Sequence, residues 1–234
     1  MTDTGAVLAA LATVRDPELD ESVTELGFVS SCTVSTDGHA LVRLRLPTYF
    51  CAPNFAFLMV ADAQDAVSAV PGVSRAEVVL EDHFAADSIN SGVAARSGFA
   101  ESFPGLADGE LDELRTDFVR KAVQAGTDRV CRPLVAQGRT FDELAQLTLG
   151  DLPPSSDRER LRARRAELGL PHDDRSPLLV DVITGDRVGT EGVPLHLSRA
   201  RLTRVSTEAN GSICRGMLHH RYDARGEREV EEAR

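Results

Sequence analysis

Leu46-Pro47-Thr48-Tyr49-Phe50-Cys51-Ala52-Pro53-Asn54 is the stretch on which the fold turns. An alternating apolar run, residues 39–46, stops at Pro47, which has no N–H to extend a ladder. Pro53-Asn54 then opens an alanine-rich segment. In it Phe57, Leu58, Ala61, Ala66 and Val70 favour one side at helical spacing. Cys51 is therefore predicted in a strand-to-helix connection, at or just before a helix N-terminus. There the helix dipole and unpaired backbone N–H groups favour a thiolate, the form that binds metal or attacks a disulfide.

Working outward, Asp37-Gly38 separates the alternating runs 30–35 and 39–46, which is a strong hairpin signal. Val7, Leu8, Leu11 and Val14 repeat at helical spacing, and Asp16-Pro17 ends that helix. Residues 22–29 read as a short helix or extended piece closing at Gly27. Pro71-Gly72 stops the 54–70 segment, and 73–80 alternate as a third strand. Helix, hairpin, helix and strand make an α/β (α+β) unit. It has a small three-stranded sheet with helices on one face, and a right-handed crossover joins parallel neighbours.

The pattern then changes. Residues 87–98 look helical, Phe103-Pro104-Gly105 is a break, and 111–125 are an amphipathic helix. Thr127-Asp128 can cap a further helix through 135, which contains Cys131 and Pro133. Thr140 with Glu143 is a capping box. Residues 150–156 are a linker or turn, 157–168 a helix, 177–183 a short strand candidate, and 195–208 helix or strand. The expected organisation is a domain over 1–86, a mainly helical domain of unknown role over 100–223, and a charged tail over 224–234. The tail's glutamate and arginine content suits a frayed helix or disorder.

Bulk properties exclude several classes. The net charge of −11 argues against nonspecific nucleic-acid binding. That charge is concentrated early, with thirteen acidic and five basic residues in 1–98. No apolar run approaches the ~20 residues of a membrane span, and the start lacks a basic signal-peptide region, so a cytoplasmic protein is expected. Cys32, Cys51, Cys131 and Cys214 lie far apart with no Cys-x-x-Cys pair, which fits neither a disulfide scaffold nor a zinc ribbon. Their default reading is the buried small hydrophobe, applied first to Cys32. Glycine-rich phosphate loops, Gly-x-Ser-x-Gly elbows and His-Glu-x-x-His are absent, leaving an ordinary hydrolase, kinase or dehydrogenase unsupported.

Four motifs occur in one order: Asp16-Pro17-Glu18-Leu19, Glu25-Leu26-Gly27-Phe28-Val29, a strand ending in Thr48-x-x-Cys51, and Gly72-Val73 before a last strand. In these the chain resembles the SufT/PaaD-type iron–sulfur cluster assembly family over residues 5–85. The family's usual glycine–cysteine–proline turn stands here as Phe50-Cys51-Ala52-Pro53. The resemblance implies a role in cluster assembly or insertion, with Cys51 as the metal ligand and Thr48, Asp16 and Glu18 beside it. The extended chain resembles accessories of bacterial binuclear-iron monooxygenases.

Each candidate has a bland reading. Cys51 can plug a tight turn, Thr48 can simply end the strand, Asp16 can cap a turn, and Glu18 can be solvated. Cys214 with His219 and His220 downstream has ligand chemistry, and Asn210-Gly211 reads as a turn just before it. A surface histidine pair is the commoner outcome, and the same holds for His83. Arg158, Arg160, Arg162, Arg164 and Arg165 crowd one helix with acids, which reads as a solvated, ion-paired face or a docking surface for an acidic partner.

One cysteine cannot satisfy an iron–sulfur cluster, which needs about four ligands. Cluster or iron would then be held transiently, or shared with a second subunit of a homodimer or with a client. The leading expectation is a non-catalytic metallocentre maturation factor whose partner is a client metalloenzyme or an assembly-machinery protein. The alternative is a metal-free interaction and assembly chaperone. A thiol enzyme using Cys51 as nucleophile is a third class, and no histidine is placed near it by sequence.

Overall fold

The computed structural model describes residues 3–107 and 109–232, with the backbone alone for 223–232. Helix α1 (Thr4–Leu11) starts at Asp3, whose carboxylate accepts the Ala6 N–H at 2.8 Å. Strands β1 (Val29–Val34) and β2 (His39–Arg45) form the expected hairpin. Its turn needs Gly38: φ is +85°, and a Cβ there would sit 2.6 Å from the Gly72 carbonyl. Helix α2 (Pro53–Ser68) crosses back to β3 (Arg75–Glu81), which pairs parallel with β2. The sheet order is β1-β2-β3, a mixed three-stranded sheet, as the sequence pattern predicts.

Alternation decides which face is buried. Ala40, Val42 and Leu44 of β2 are sealed, as are Val78 and Leu80 of β3. They share a core with Ala56, Phe57, Val60, Ala63 and Val67 of α2. On the alternate positions of β2, Arg43 pairs with Glu81 at 2.7 Å and His39 lies 3.3 Å from Glu77. The outer edge of β3 is satisfied by side-chain amides. Gln64 accepts the Val78 N–H at 3.1 Å and donates to the Ala76 carbonyl at 3.0 Å. Asn90, on α3 (Ala86–Ala95), accepts the Leu80 N–H at 2.8 Å and donates to its carbonyl at 3.0 Å. Two carboxamides thus stand where a fourth strand's backbone would pair, which blunts the edge against unwanted strand addition.

After the one-turn α4 (Phe99–Ser102), the chain is mainly helical: α5 (Asp112–Ala136), α6 (Phe141–Gln146), α7 (Ser156–Glu167) and α8 (Val193–Glu232). The Thr140–Glu143 capping box at the start of α6 is present with both bonds. Packing divides the chain into two compact units, Met1–Asp112 with Asn210–Arg234, and Glu113–Ala209. These limits differ from 1–86, 100–223 and 224–234. Ile89, Val93, Phe103 and Leu218 join the core of the sheet unit, and through Glu232 the 224–234 tail is the last part of α8.

The second unit departs from the sequence reading in four places. The helices expected over 111–125 and 127–135 are one helix. Thr127 does not cap, because its hydroxyl donates to the Val123 carbonyl at 2.8 Å inside α5. The strand candidate 177–183 is irregular, making only the single bridges Thr148↔Pro177 and Val180↔Arg187. Residues 195–208 are helix. Arg165 is fully buried rather than solvated, and donates to the Pro177 carbonyl at 2.8 Å and the Leu178 carbonyl at 2.5 Å. Of the ion pairs expected within the helix, Arg164 meets Glu167, whereas Arg158 and Arg162 reach outside it to Asp174, at 2.7 and 2.6 Å.

A fragment ending at Ala86 should fail to fold cooperatively. It loses Ile89, Val93, Phe103 and Leu218 from the core. Burying such side chains is worth about 1.5–3 kcal/mol each, so their sum approaches the ~5–15 kcal/mol stability of a whole domain. Near-ultraviolet circular dichroism and thermal unfolding of residues 1–86 check this. A sharp transition close to that of the full chain would show that the later helices are dispensable.

Candidate functional site

β2 ends at Arg45, and Pro47 turns the chain off the sheet. Thr48 to Ala52 then form a short connection into α2, whose first residue is Pro53. Ala52 is the N-cap and offers no side-chain bond, so the first-turn N–H groups of α2 are not answered from the cap position. Cys51 sits immediately before it, half-buried, in the predicted place. The Thr48 Oγ1 lies 3.3 Å from the Cys51 Sγ. A hydroxyl at that distance can donate to the sulfur.

His83 holds the same turn from the end of β3. Its Nδ1 accepts the Ala85 N–H at 3.2 Å, so Nε2 carries the proton and donates to the Cys51 carbonyl at 2.7 Å. Burial pushes its pKa down, and the nearby Arg221 guanidinium adds to that, against the pull of the Cys51 carbonyl. A neutral ring is what this bonding needs. The sequence offers His83 as a weak ligand candidate, whereas in the fold it positions the cysteine's backbone.

The Asp16 turn is the third part. Asp16 is buried, and its Oδ1 accepts the N–H of Glu18 at 2.9 Å and of Leu19 at 2.8 Å. Burial pushes its pKa from 3.8 up to about 6. The two N–H bonds pull down, and the charges of Glu18 and Glu21 push further up. Glu18 itself is exposed and accepts from the Asn210 amide at 3.1 Å.

That amide belongs to α8, which lays one face over these turns. Asn210 meets Glu18, Arg215 meets Glu21, and Leu218 packs in the core. Arg221 donates to the Leu46 carbonyl at 3.0 Å and the Asp82 carbonyl at 2.6 Å. The Asn210-Gly211 turn is therefore overturned, since both residues are inside α8. A Cβ at 211 would lie 2.8 Å from the Glu21 carboxylate, the movable end of a side chain. Cys214 falls between Asn210 and Leu218 on the same face, half-buried. Burial pushes its thiol up to about 11, with Asp16, then Cys51, then Glu18 adding to that. The fold thus brings Cys51, Asp16 and Glu18 each within electrostatic reach of Cys214. His219 and His220 are exposed. Five residues along a helix turn about 140°, which separates His219 from the Cys214 face.

Among the described residues no group of three or more histidine, cysteine or acidic side chains is placed to hold a metal ion. The donors present are two sulfurs and carboxylates, which suit soft or borderline iron chemistry but leave a four-ligand sphere open. Cys32, expected to be buried, is half-buried on β1, with its thiol pushed up by burial. Cys131 is buried and its thiol is pushed up to about 12, chiefly by burial, with the Asp128 charge adding.

Asp16 gives the site a measurable pH signature. Its pKa is raised on folding, so between about 4 and 6 the folded state holds more protons and stability falls as pH rises. The gap from 3.8 to about 6 corresponds to at most about 3 kcal/mol, fully lost above pH 6. Asp16→Asn keeps a carbonyl to accept both N–H groups and cannot ionise. It should flatten the dependence over pH 4–6 and raise the unfolding midpoint at pH 7.5. Thermal unfolding of both proteins across that range decides it. An unchanged slope would place the proton elsewhere.

The family described as iron–sulfur cluster assembly protein matches residues 4–78. An uncharacterised protein of Methanocaldococcus jannaschii is 32% identical over 84 residues, which are 36% of this chain and 86% of that relative. No solved structure matches. The matched span holds the Asp16 turn and the Thr48–Cys51 turn, but neither Cys214 nor the second unit. Through its N-terminal third, the chain belongs to the iron–sulfur cluster assembly protein family.

Proposed function

We propose that the protein is a non-catalytic maturation factor that holds iron or an iron–sulfur cluster as cargo at Cys51 and passes it to a client metalloenzyme. The observation that carries this reading is the Thr48 hydroxyl 3.3 Å from the Cys51 sulfur, directly before α2, whose first turn has one N–H, that of Phe55, taken by the Asn54 side chain and none by the N-cap Ala52. Family membership supports cluster assembly as the general role. Cys214 and Asp16 are the additional groups this chain offers to the cargo, and Glu18 is tied to Asn210 beside them. Two sulfurs hold a soft ion without completing its sphere, and an incomplete sphere lets the recipient finish the coordination. A second copy of the chain would complete it equally well, so a homodimer belongs to the same proposal. The Glu113–Ala209 unit lies outside the family match and is proposed to select the client, in the manner of an accessory to a multicomponent monooxygenase.

One observation favours a second reading, in which the same face docks a client without metal. Tyr49, Phe50 and Phe84 are exposed beside the Cys51 turn, with Phe50 at 76%. Their rings touch one another at centroid distances of 5.0, 5.9 and 6.4 Å. An exposed aromatic group of this kind suits protein contact.

Cys51→Ser separates the readings. Serine is nearly isosteric and keeps the hydrogen bond to Thr48, but it is a poor ligand for soft metal at neutral pH. On the cargo reading, iron and sulfide retained after anaerobic reconstitution fall to background and client maturation is lost, while the unfolding midpoint barely moves. On the docking reading, activity per folded molecule is kept. Any stability cost would be about 1–3 kcal/mol, from a hydroxyl in a partly apolar site. Normal maturation by Cys51→Ser would end the cargo proposal.

A further inference from the structure

The Glu113–Ala209 unit contains a pocket of about 620 Å³ that the cluster-assembly role does not use. Its walls come from the C-terminal half of α5 and the N-terminal part of α8, with Phe141 of α6 adding a ring. Val135 and Phe141 expose 45% and 46% of their surface there, in a chain with an otherwise ordinary core. Leu197 adds a half-buried aliphatic wall. The volume lies within the range of small-molecule sites, about 300–1,000 Å³.

The charges in the pocket are arranged for an anion. Asp128 is its one acidic residue, and it is nearly buried against Arg204, whose Nε lies 2.5 Å from its Oδ2. Arg204 also bonds Glu208, so that group is internally neutralised. Arg132 and Arg201 also line the pocket, are exposed, and make no ion pair with the described residues. Two uncommitted guanidinium groups thus border an apolar hollow, in a chain of net charge −11. Leaving two like charges unpaired beside exposed apolar surface gives the folded chain no stability, and both features are satisfied together by one kind of occupant.

We propose that this pocket binds a small amphipathic carboxylate, with its apolar body against Val135, Phe141 and Leu197 and its carboxylate on Arg132 and Arg201. Arginine suits this role because its planar fork meets a carboxylate in a bidentate way. The chain then carries two separate sites, a cargo turn in the family region and a ligand pocket in the second unit.

Decanoate is a suitable probe, titrated into the full chain by calorimetry below its micellar concentration, with decanol as the uncharged comparison. The expected result is saturable one-site binding of decanoate, at least tenfold tighter than decanol. Arg132 and Arg201 are exposed and unpaired, so R132E/R201E should keep the unfolding midpoint and weaken decanoate at least tenfold. Val135→Trp should fill the hollow and weaken both ligands. Cys51→Ser should bind decanoate as the parent does, which keeps this test independent of the cargo proposal. Absence of saturable binding, equal affinity for decanol, or unchanged affinity in R132E/R201E would each overturn it. So would tenfold tighter, Arg132-dependent binding of an acidic amphipathic peptide with none of decanoate, which would make the pocket a protein-docking groove.

Discussion

The parallel pairing of β2 with β3 is the constraint from which the rest of the sheet unit follows. Parallel neighbours cannot be joined by a tight turn, so the chain must leave β2 at its C-terminal end, cross as α2, and re-enter at the start of β3. That path fixes two ends at one edge of the sheet. The end of β2 runs through Pro47 into the Cys51 turn, and the end of β3 runs through Asp82 into His83. The hydrogen bond between His83 and the Cys51 carbonyl is therefore a product of topology, not of sequence proximity. Crevices at the carboxyl ends of strands are where open α/β sheets place their ligands, because strand-to-helix turns collect there with helix N-termini pointing inward.

A single long helix then closes that edge. Arg221 bonds the carbonyls just past β2 and β3, Leu46 and Asp82, and pairs with the Asp82 carboxylate at 2.7 Å. Those carbonyls follow the last ladder residues, where no strand remains to satisfy them, and a guanidinium with five donors answers several at once. One face of α8 thereby reaches the Asp16 turn through Asn210 and the strand ends through Arg221, and it carries Cys214 between them. The family region alone contains the Cys51 turn but none of these closing contacts.

Local chemistry made the sheet unit legible in the sequence. Asp37-Gly38, Pro47, Pro53 and Pro71-Gly72 are backbone punctuation whose effect does not depend on distant residues, and the three strands and α2 follow from them. The position of Cys51 before a helix was legible for the same reason. What escaped depends on partners far along the chain. Asn210-Gly211 has turn propensity, but both residues lie inside α8, where Asn210 meets Glu18 far along the chain. Arg165 sits among surface-type residues, yet loop carbonyls of Pro177 and Leu178 take its donors inside the core. Thr127 resembles a cap until its hydroxyl is seen to be spent on Val123. Sequence proximity pairs Cys214 with His219, whereas helical rotation turns it toward the charges of Asp16 and Cys51.

The electrostatics around Cys214 bear on how cargo would be taken and released on the proposed reading. Burial, together with Asp16 and Cys51, pushes its thiol up to about 11, which keeps that sulfur protonated at neutral pH. The carboxylates that penalise a thiolate are the same groups that favour an arriving cation. A soft cation would displace the proton and turn that repulsion into attraction, which couples loading to proton release. Acidification then opposes loading twice, by protonating sulfur and, near pH 6, by neutralising Asp16. On that reading the Cys214 sulfur would carry charge only while the site holds its cargo. It would return to a neutral thiol once a recipient with a more complete ligand set takes the ion, and that coupling of release to proton uptake would favour transfer in one direction.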